Sequence, residues 1–279
     1  MQLRHVPSVE RLAHHLTETL PSLDLLINNA AQTVRRPPAF YRSLVEREEQ
    51  PIAALSDGAR ALLTSGEGGP GALVRFHAAD LSPARLTQLA LTDEDVRDAE
   101  AFPPGVVDLD DQQADFRHKN SWRMRAADVS TVELLEVHLV NSVAPYLLVA
   151  RCKPLMLRRT ARDKHVVNVS AMEAQFARNK KTEKHPHTNM AKAALNMLTR
   201  TSAADLVQDG IHMNSVDTGW VTDEDPAAIA ARKVEEHGFS PPLDIVDGAA
   251  RICDPIFAGI NAGQHAYGLF FKDYKPVPW

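Results

Sequence analysis

Apolar residues recur at helical spacing through Val6, Val9, Leu12, Ala13, Leu16 and Leu20, and Pro21 ends the run. That period predicts an amphipathic helix. The pattern then changes to a short apolar run, Leu23-Asp24-Leu25-Leu26-Ile27, which stops at Asn28-Asn29-Ala30-Ala31. Apolar runs bounded by turn formers mark strands buried on both faces of a parallel sheet. Val166-Val167-Asn168-Val169 and Ile211-His212-Met213-Asn214-Ser215-Val216 have the same character, and Tyr267-Gly268-Leu269-Phe270-Phe271 predicts a last strand. Helical stretches separate them. One runs from Ser130 through Leu134, Leu135, His138, Leu139 and Asn141 past Pro145 to Ala150; others begin near Thr188, at Asp225 and at Leu243. Ser130-Thr131-Val132-Glu133 has the form of a capping box, in which the serine and the glutamate each satisfy an orphan N–H. Strands alternating with helices predict an α/β fold with a mostly parallel sheet.

Residues 35–128 interrupt this alternation with Pro37-Pro38, the loop Gly66-Glu67-Gly68-Gly69-Pro70-Gly71, Phe102-Pro103-Pro104-Gly105 and an acidic stretch from Asp108 to Asp115. Crossovers in α/β proteins are far shorter. The stretch therefore predicts an inserted subdomain or lid inside a single domain spanning 1–279, with short helices around Tyr41–Glu49 and Ala84–Leu91.

Composition narrows the function classes. The net charge is −5 and the cations are scattered, which argues against nucleic acid or an anionic membrane as partner. By sequence, no stretch approaches the ~20 apolar residues of a membrane span, and the N-terminus has no apolar signal core. Cys152 and Cys253 lie far apart and read as reduced thiols of a cytoplasmic protein. The 12 histidines form no array of metal-ligand spacing, so no metal is expected.

The candidate chemistry lies at the ends of the predicted strands. Asn28-Asn29-Ala30-Ala31 follows the first, Val-Asn-Val-Ser170 closes the second, and Asp217-Thr218-Gly219 follows the third. Asn141 lies in the helix before the second strand, and Lys192 in the helix after it. Taken in this order, the motifs over residues 23–222 resemble those of the short-chain dehydrogenase/reductase superfamily. The resemblance implies a partial doubly wound, Rossmann-like sheet. It also implies a nicotinamide cofactor, NAD or NADP, a small-molecule carbonyl or alcohol substrate, and a homo-oligomer.

Carried over position by position, the resemblance implies catalytic roles for Asn141, Ser170, Thr188 and Lys192, and cofactor contacts for Asn29, Ala30, Ala31, Lys192, Gly219 and Thr222. Several of these depart from the family's pattern. Thr188 stands where the proton-donating tyrosine belongs, one helical turn before Lys192. A tyrosine titrating near ~10 can be tuned into an acid/base; a threonine hydroxyl is far more basic. The family's serine falls on Ala171, with Ser170 one place early. His185 and His187 have a suitable intrinsic pKa, although solvated loop histidines are the plainer reading.

Pro145 deprives the Asn141 carbonyl of its helical N–H partner, which fits either a water-holding relay or a simple kink. Gly219 and Thr222 suit either a cofactor-facing turn or an ordinary turn and cap. The Gly-rich phosphate turn with which the family begins has no counterpart near Met1, and Gly66–Gly71 follows no clear strand. The expectation is an N-terminally incomplete domain whose Leu23–Ile27 strand exposes an apolar edge. Three readings follow: a divergent NAD(P)-dependent oxidoreductase, a catalytically inactive protein using the same fold for binding or assembly, or an enzyme of another reaction type, such as a dehydratase or isomerase, in a reshaped pocket.

Overall fold

In the computed structural model, residues 2–49, 56–57, 83–108, 112–178, 181–238 and 240–279 are described. The Gly66–Gly71 loop lies outside them. Five strands form one sheet in chain order: β1 (Leu25–Asn28), β2 (Lys164–Ser170), β3 (Ile211–Asp217), β4 (Phe270–Lys272) and β5 (Lys275–Val277). The first four run parallel and β5 returns antiparallel to β4. The helices are α1 (Val6–Thr19), α2 (Pro38–Glu48), α3 (Pro83–Leu86), α4 (Asp93–Arg97), α5 (Thr131–His138), α6 (Ala144–Leu157), α7 (Pro186–Leu206), α8 (Ala227–His237) and α9 (Ile245–Ala262).

The sheet has helices on both faces because the side chains of β2 and β3 are apolar in both directions. Val166, Ile211 and Met213 pack with Val149 and Met156 of α6 and with Ala203 and Leu206 of α7. Their neighbours Val167, Val169 and Val216 point the other way, onto Ile252 and Ile256 of α9. Each fully buried aliphatic side chain contributes roughly 1.5–3 kcal/mol, so this central strand pair anchors the fold. A second shell of packing sets α1 against α6 through Val9, Ala144 and Leu147.

At the sheet margin the burial changes. β1 pairs only with β2 among the described residues, and its Leu25 and Ile27 are 43% and 39% exposed. This is the apolar edge the sequence predicts.

The inserted segment has a small core of its own, Ala39, Phe40 and Phe102. Buried ion pairs tie it to the body of the fold. Arg35 pairs with Asp95 and, at 3.1 Å, with Glu136 of α5, while Arg123 meets Asp225 at 2.6 Å.

Four sequence expectations change. The helix predicted around Ala84–Leu91 is the short α3, which ends at Leu86, and a separate short helix, α4, follows from Asp93. The capping box at Ser130 is half formed: Ser130 Oγ accepts the Glu133 N–H at 3.1 Å. The Glu133 carboxylate instead turns inward, accepting from the Ser121 hydroxyl and, at 2.7 Å, from the Arg35 N–H. The stretch Thr131–Leu157 is, at 27 residues, long and apolar enough to cross a membrane, contrary to the sequence reading. In this fold it is half buried within the protein and carries buried Glu133, Glu136 and Asn141. Finally, the sequence pattern does not predict β5. Its hairpin turns on Asp273 and Tyr274, both at positive φ without a glycine, and Pro276 sits on the outermost strand, where a missing N–H breaks no ladder.

Candidate active site

Parallel strands deliver their C-terminal ends to one rim of a sheet, and that rim is where α/β folds bind ligands. β2 ends there at Ser170 and β3 at Asp217, and a cavity of about 460 Å³ opens between them. Its floor is Val169, Ser170 and Ala171; Thr188 and Lys192 of α7 form one wall; Gly219, Trp220, Thr222 and Glu224 form another.

Lys192 is 7% exposed, and its Nζ donates to the Val169 carbonyl at 2.8 Å. Among the described residues it makes no second hydrogen bond, which leaves donors for a ligand. Burial pushes its pKa down to about 8, with the Glu173 and Asp217 carboxylates opposing the shift. Ser170 is 4% exposed, and its hydroxyl finds no partner among the described residues. A buried hydroxyl without a partner is costly unless a ligand or water completes it.

Thr188 lines the cavity, one turn before Lys192, but its hydroxyl donates to the Thr33 carbonyl at 3.0 Å. Gly219 sits at φ +80°, with its N–H donating to Asp217 Oδ1 at 2.8 Å. A Cβ there would meet Leu243 at 2.6 Å, so the turn requires glycine.

Not every predicted residue reaches this cavity. Of Asn29, Ala30 and Ala31, all exposed after β1, Ala31 alone lines it. Asn141 is 1% exposed and does not line it. Its amide clamps the backbone of Gln32, accepting the N–H at 2.7 Å and donating to the carbonyl at 2.8 Å. Asn141 thus positions the segment that carries Thr33. The irregularity expected at Pro145 takes the form of a π-turn, Leu139–Val143, immediately before α6.

His187 is buried beside Glu133 (3.7 Å) and Thr188 (3.5 Å), off the cavity wall. His185 does line the cavity, at φ +41° and stacked on Trp122 with ring centroids 4.0 Å apart; burial lowers its pKa to about 4.

Sequence reasoning missed Glu224. Nothing in its spacing marks it, because its position depends on distant partners. Asn120 of the inserted segment donates to the Glu224 carbonyl at 2.7 Å, and Arg36 stands 3.6 Å from its carboxylate. Trp122 is held in the same way, its N–H donating to Asn120 Oδ1 at 3.1 Å. The inserted segment thereby supplies part of the cavity wall.

This is an α/β protein with a ligand-sized cavity at the C-terminal rim of a mostly parallel sheet, lined by a buried lysine and a serine hydroxyl that has no partner among the described residues. Residues 114–239 match the model of the enoyl-(acyl carrier protein) reductase family. The RhlG–NADP active-site complex of Pseudomonas aeruginosa is similar in fold, with a TM-score of 0.50 and 17% identity over 96% of this chain and 72% of that one. The carbonyl reductase Sniffer of D. melanogaster matches with a TM-score of 0.42 and 22% identity over 57% of this chain and 61% of its own. An uncharacterized protein of Acanthamoeba polyphaga mimivirus, R665, is 29% identical over 264 residues, 91% of this chain and 48% of that protein. The chain thus spans about half the length of this curated relative. The family model covers less than half of the chain, and what the solved structures share with it is the fold, an α/β sheet similar to that of the RhlG–NADP complex.

Proposed function

We propose that the chain catalyses an NAD(P)-dependent reduction of a small carbonyl compound, or oxidation of the corresponding alcohol, in the cavity between Ser170 and Asp217. The observation that carries this reading is a buried Ser170 hydroxyl on the cavity floor, without a partner among the described residues, and the Lys192 amine on the wall above it. Hydrogen-bond donors held in a water-poor site, aimed where negative charge develops on a substrate oxygen, are the main source of rate in such chemistry.

The residues present fit the reactive end of a nicotinamide cofactor. Lys192 keeps donors for ribose hydroxyls, and the tight Gly219 turn and Thr222 face the same space. When bound, that cofactor supplies or accepts the hydride. The chain's own part is to bind and orient. Ser170 would donate to the substrate oxygen, Lys192 would hold the ribose and add positive charge, and Trp122, Met172 and Trp220 would exclude water. Thr188 does not take the tyrosine's part: its proton is committed to the Thr33 carbonyl.

The test is the oxidation of NADH and NADPH by the full chain with a panel of aldehydes and ketones, and the reverse assay with alcohols. Saturable turnover is expected. Cofactor binding without turnover on any of them would favour a binding protein, and no binding at all would sink the reading.

A further inference from the structure

The proposed reaction needs a proton donor, and none of Thr188, His185 and His187 is available; His187 lies off the cavity wall. A threonine hydroxyl does not ionise near neutrality, and Thr188 is already committed. His185 is held neutral by burial near pH 7 and stacks on Trp122.

Three carboxylates line the cavity: Glu173, Asp217 and Glu224. Asp217 is paired with Lys272 at 2.7 Å and also accepts the Gly219 N–H. Glu173 interacts with Lys192, favouring that amine's charged form, and its carbonyl accepts from Lys181.

Glu224 differs from both. Arg36, its one ion-pair partner among the described residues, lies 3.6 Å away and is held more closely by Asp115. The Thr33 and Thr222 side chains stand near enough to its carboxyl to favour the charged form, and the Thr33 carbonyl is the group that anchors Thr188. Glu224 therefore neighbours the residue that anchors the position where the family's tyrosine stands.

We propose that Glu224 is the proton-exchanging catalytic residue of this cavity, in place of the tyrosine. The proposal rests on the oxidoreductase reading. As the substrate carbonyl carbon receives the hydride, the electron pair of the carbonyl bond moves to oxygen. That oxygen takes the Glu224 proton, an alcohol O–H forms, and the carboxyl O–H breaks to leave a carboxylate. Solvent reprotonates it before the next turnover; oxidation runs the transfer in reverse.

The charges around Glu224 are consistent with this task. Burial and the neighbouring Asp223 favour its protonated form, while Arg36, Thr33 and Thr222 oppose them; the balance raises the pKa from the ordinary glutamate value. A general acid is most effective when its pKa approaches the working pH.

Two readouts on the full chain separate this proposal from the reading beneath it. Infrared difference spectroscopy across a pH titration reports the C=O stretch of a protonated carboxyl group and needs no cofactor. A carboxyl signal that persists toward neutral pH and vanishes in Glu224→Gln supports the proposal. A signal unchanged in that variant, or none, overturns it.

In turnover, Glu224→Gln keeps the shape and is expected to lower kcat about 100-fold or more. The KM for NADPH should be unchanged, and the pH-dependent limb assigned to the acid should disappear. Glu224→Asp should restore part of the rate. Equal kcat and an equal pH profile in wild type and Glu224→Gln would overturn the proposal. Failure of the wild type to bind NADPH removes the oxidoreductase reading instead, and the infrared titration still decides whether Glu224 holds a proton.

Discussion

The two ends of the β2–β3 pair each bury a lysine, and the two lysines sit in opposite circumstances. Lys164, at the N-terminal end, is 2% exposed, and its amine donates to two carbonyls, those of Arg159 and Ala161. At the same end of the strand pair, His212 stacks on His265, and His165 Nε2 lies 3.1 Å from His265 Nδ1. Lys192, at the C-terminal end, has one carbonyl partner, faces a cavity and sits beside a serine with none. Burial lowers the pKa of both amines. Burial of a charge alone therefore does not distinguish a site. Incomplete hydrogen bonding beside open volume does, because a folded protein leaves such groups unsatisfied only where something else completes them.

The comparison breaks most visibly by removing one amine at a time. Lys192→Met should lower turnover about 100- to 1,000-fold, the range for loss of one positioned donor, and leave the fold intact by circular dichroism. An active Lys192→Met would erase the difference between the two ends. Ser170→Ala should cost about 100-fold in kcat by the same argument. It removes an unpartnered group, so its melting temperature should not fall; a large drop in stability would make Ser170 structural.

Lys192 also sets a pH limit. Its charged form is lost as pH rises through about 8, so cofactor affinity should weaken above that value. A flat affinity up to pH 10 would show that its charge is not used.

The histidine end should answer to acid instead. Burial, with His212 and His265 adding to it, holds His165 at about 4, against an ordinary value of 6.5. The unfolded chain therefore binds more protons than the folded one between those values, and stability rises with pH across the window. On acidification, roughly 2–3 kcal/mol should be lost from pH 6.5 toward 4. His165→Asn should flatten that slope in urea titrations, and an unchanged slope would place the acid sensitivity elsewhere. The smallest effect is expected from Lys164→Met. Leaving the Arg159 and Ala161 carbonyls without their donor should cost about 1–2 kcal/mol, with kcat unchanged.

Much of this arrangement is legible in the sequence, for local reasons. β2 and β3 are apolar in both directions, so periodicity alone finds them, and every residue of both strands is buried. The four-residue spacing of Thr188 and Lys192 puts them on one helical face whatever surrounds them. Ser170 and Gly219 follow from where the strands end.

Other features depend on contacts that no local pattern encodes. β5 turns without the glycine or asparagine that usually signals a hairpin. Glu133 abandons its cap because Ser121 and Arg35 reach it from the two ends of the inserted segment. Asn141 turns its side chain to the Gln32 backbone, away from the cavity its position suggested. Glu224 becomes part of the site because Asn120 and Arg36, roughly 100 and 190 residues earlier, hold it there.

The central claim is that the Lys192 end binds a nicotinamide nucleotide and the Lys164 end does not. Trp122 and Trp220 line the cavity and are natural energy donors to reduced nicotinamide. Titration of the full chain with NADPH, exciting tryptophan and reading nicotinamide emission, is the direct test. The account predicts a saturable signal that Lys164→Met retains and Lys192→Met loses. No saturable signal in the wild type, or equal signals in the two variants, would contradict it.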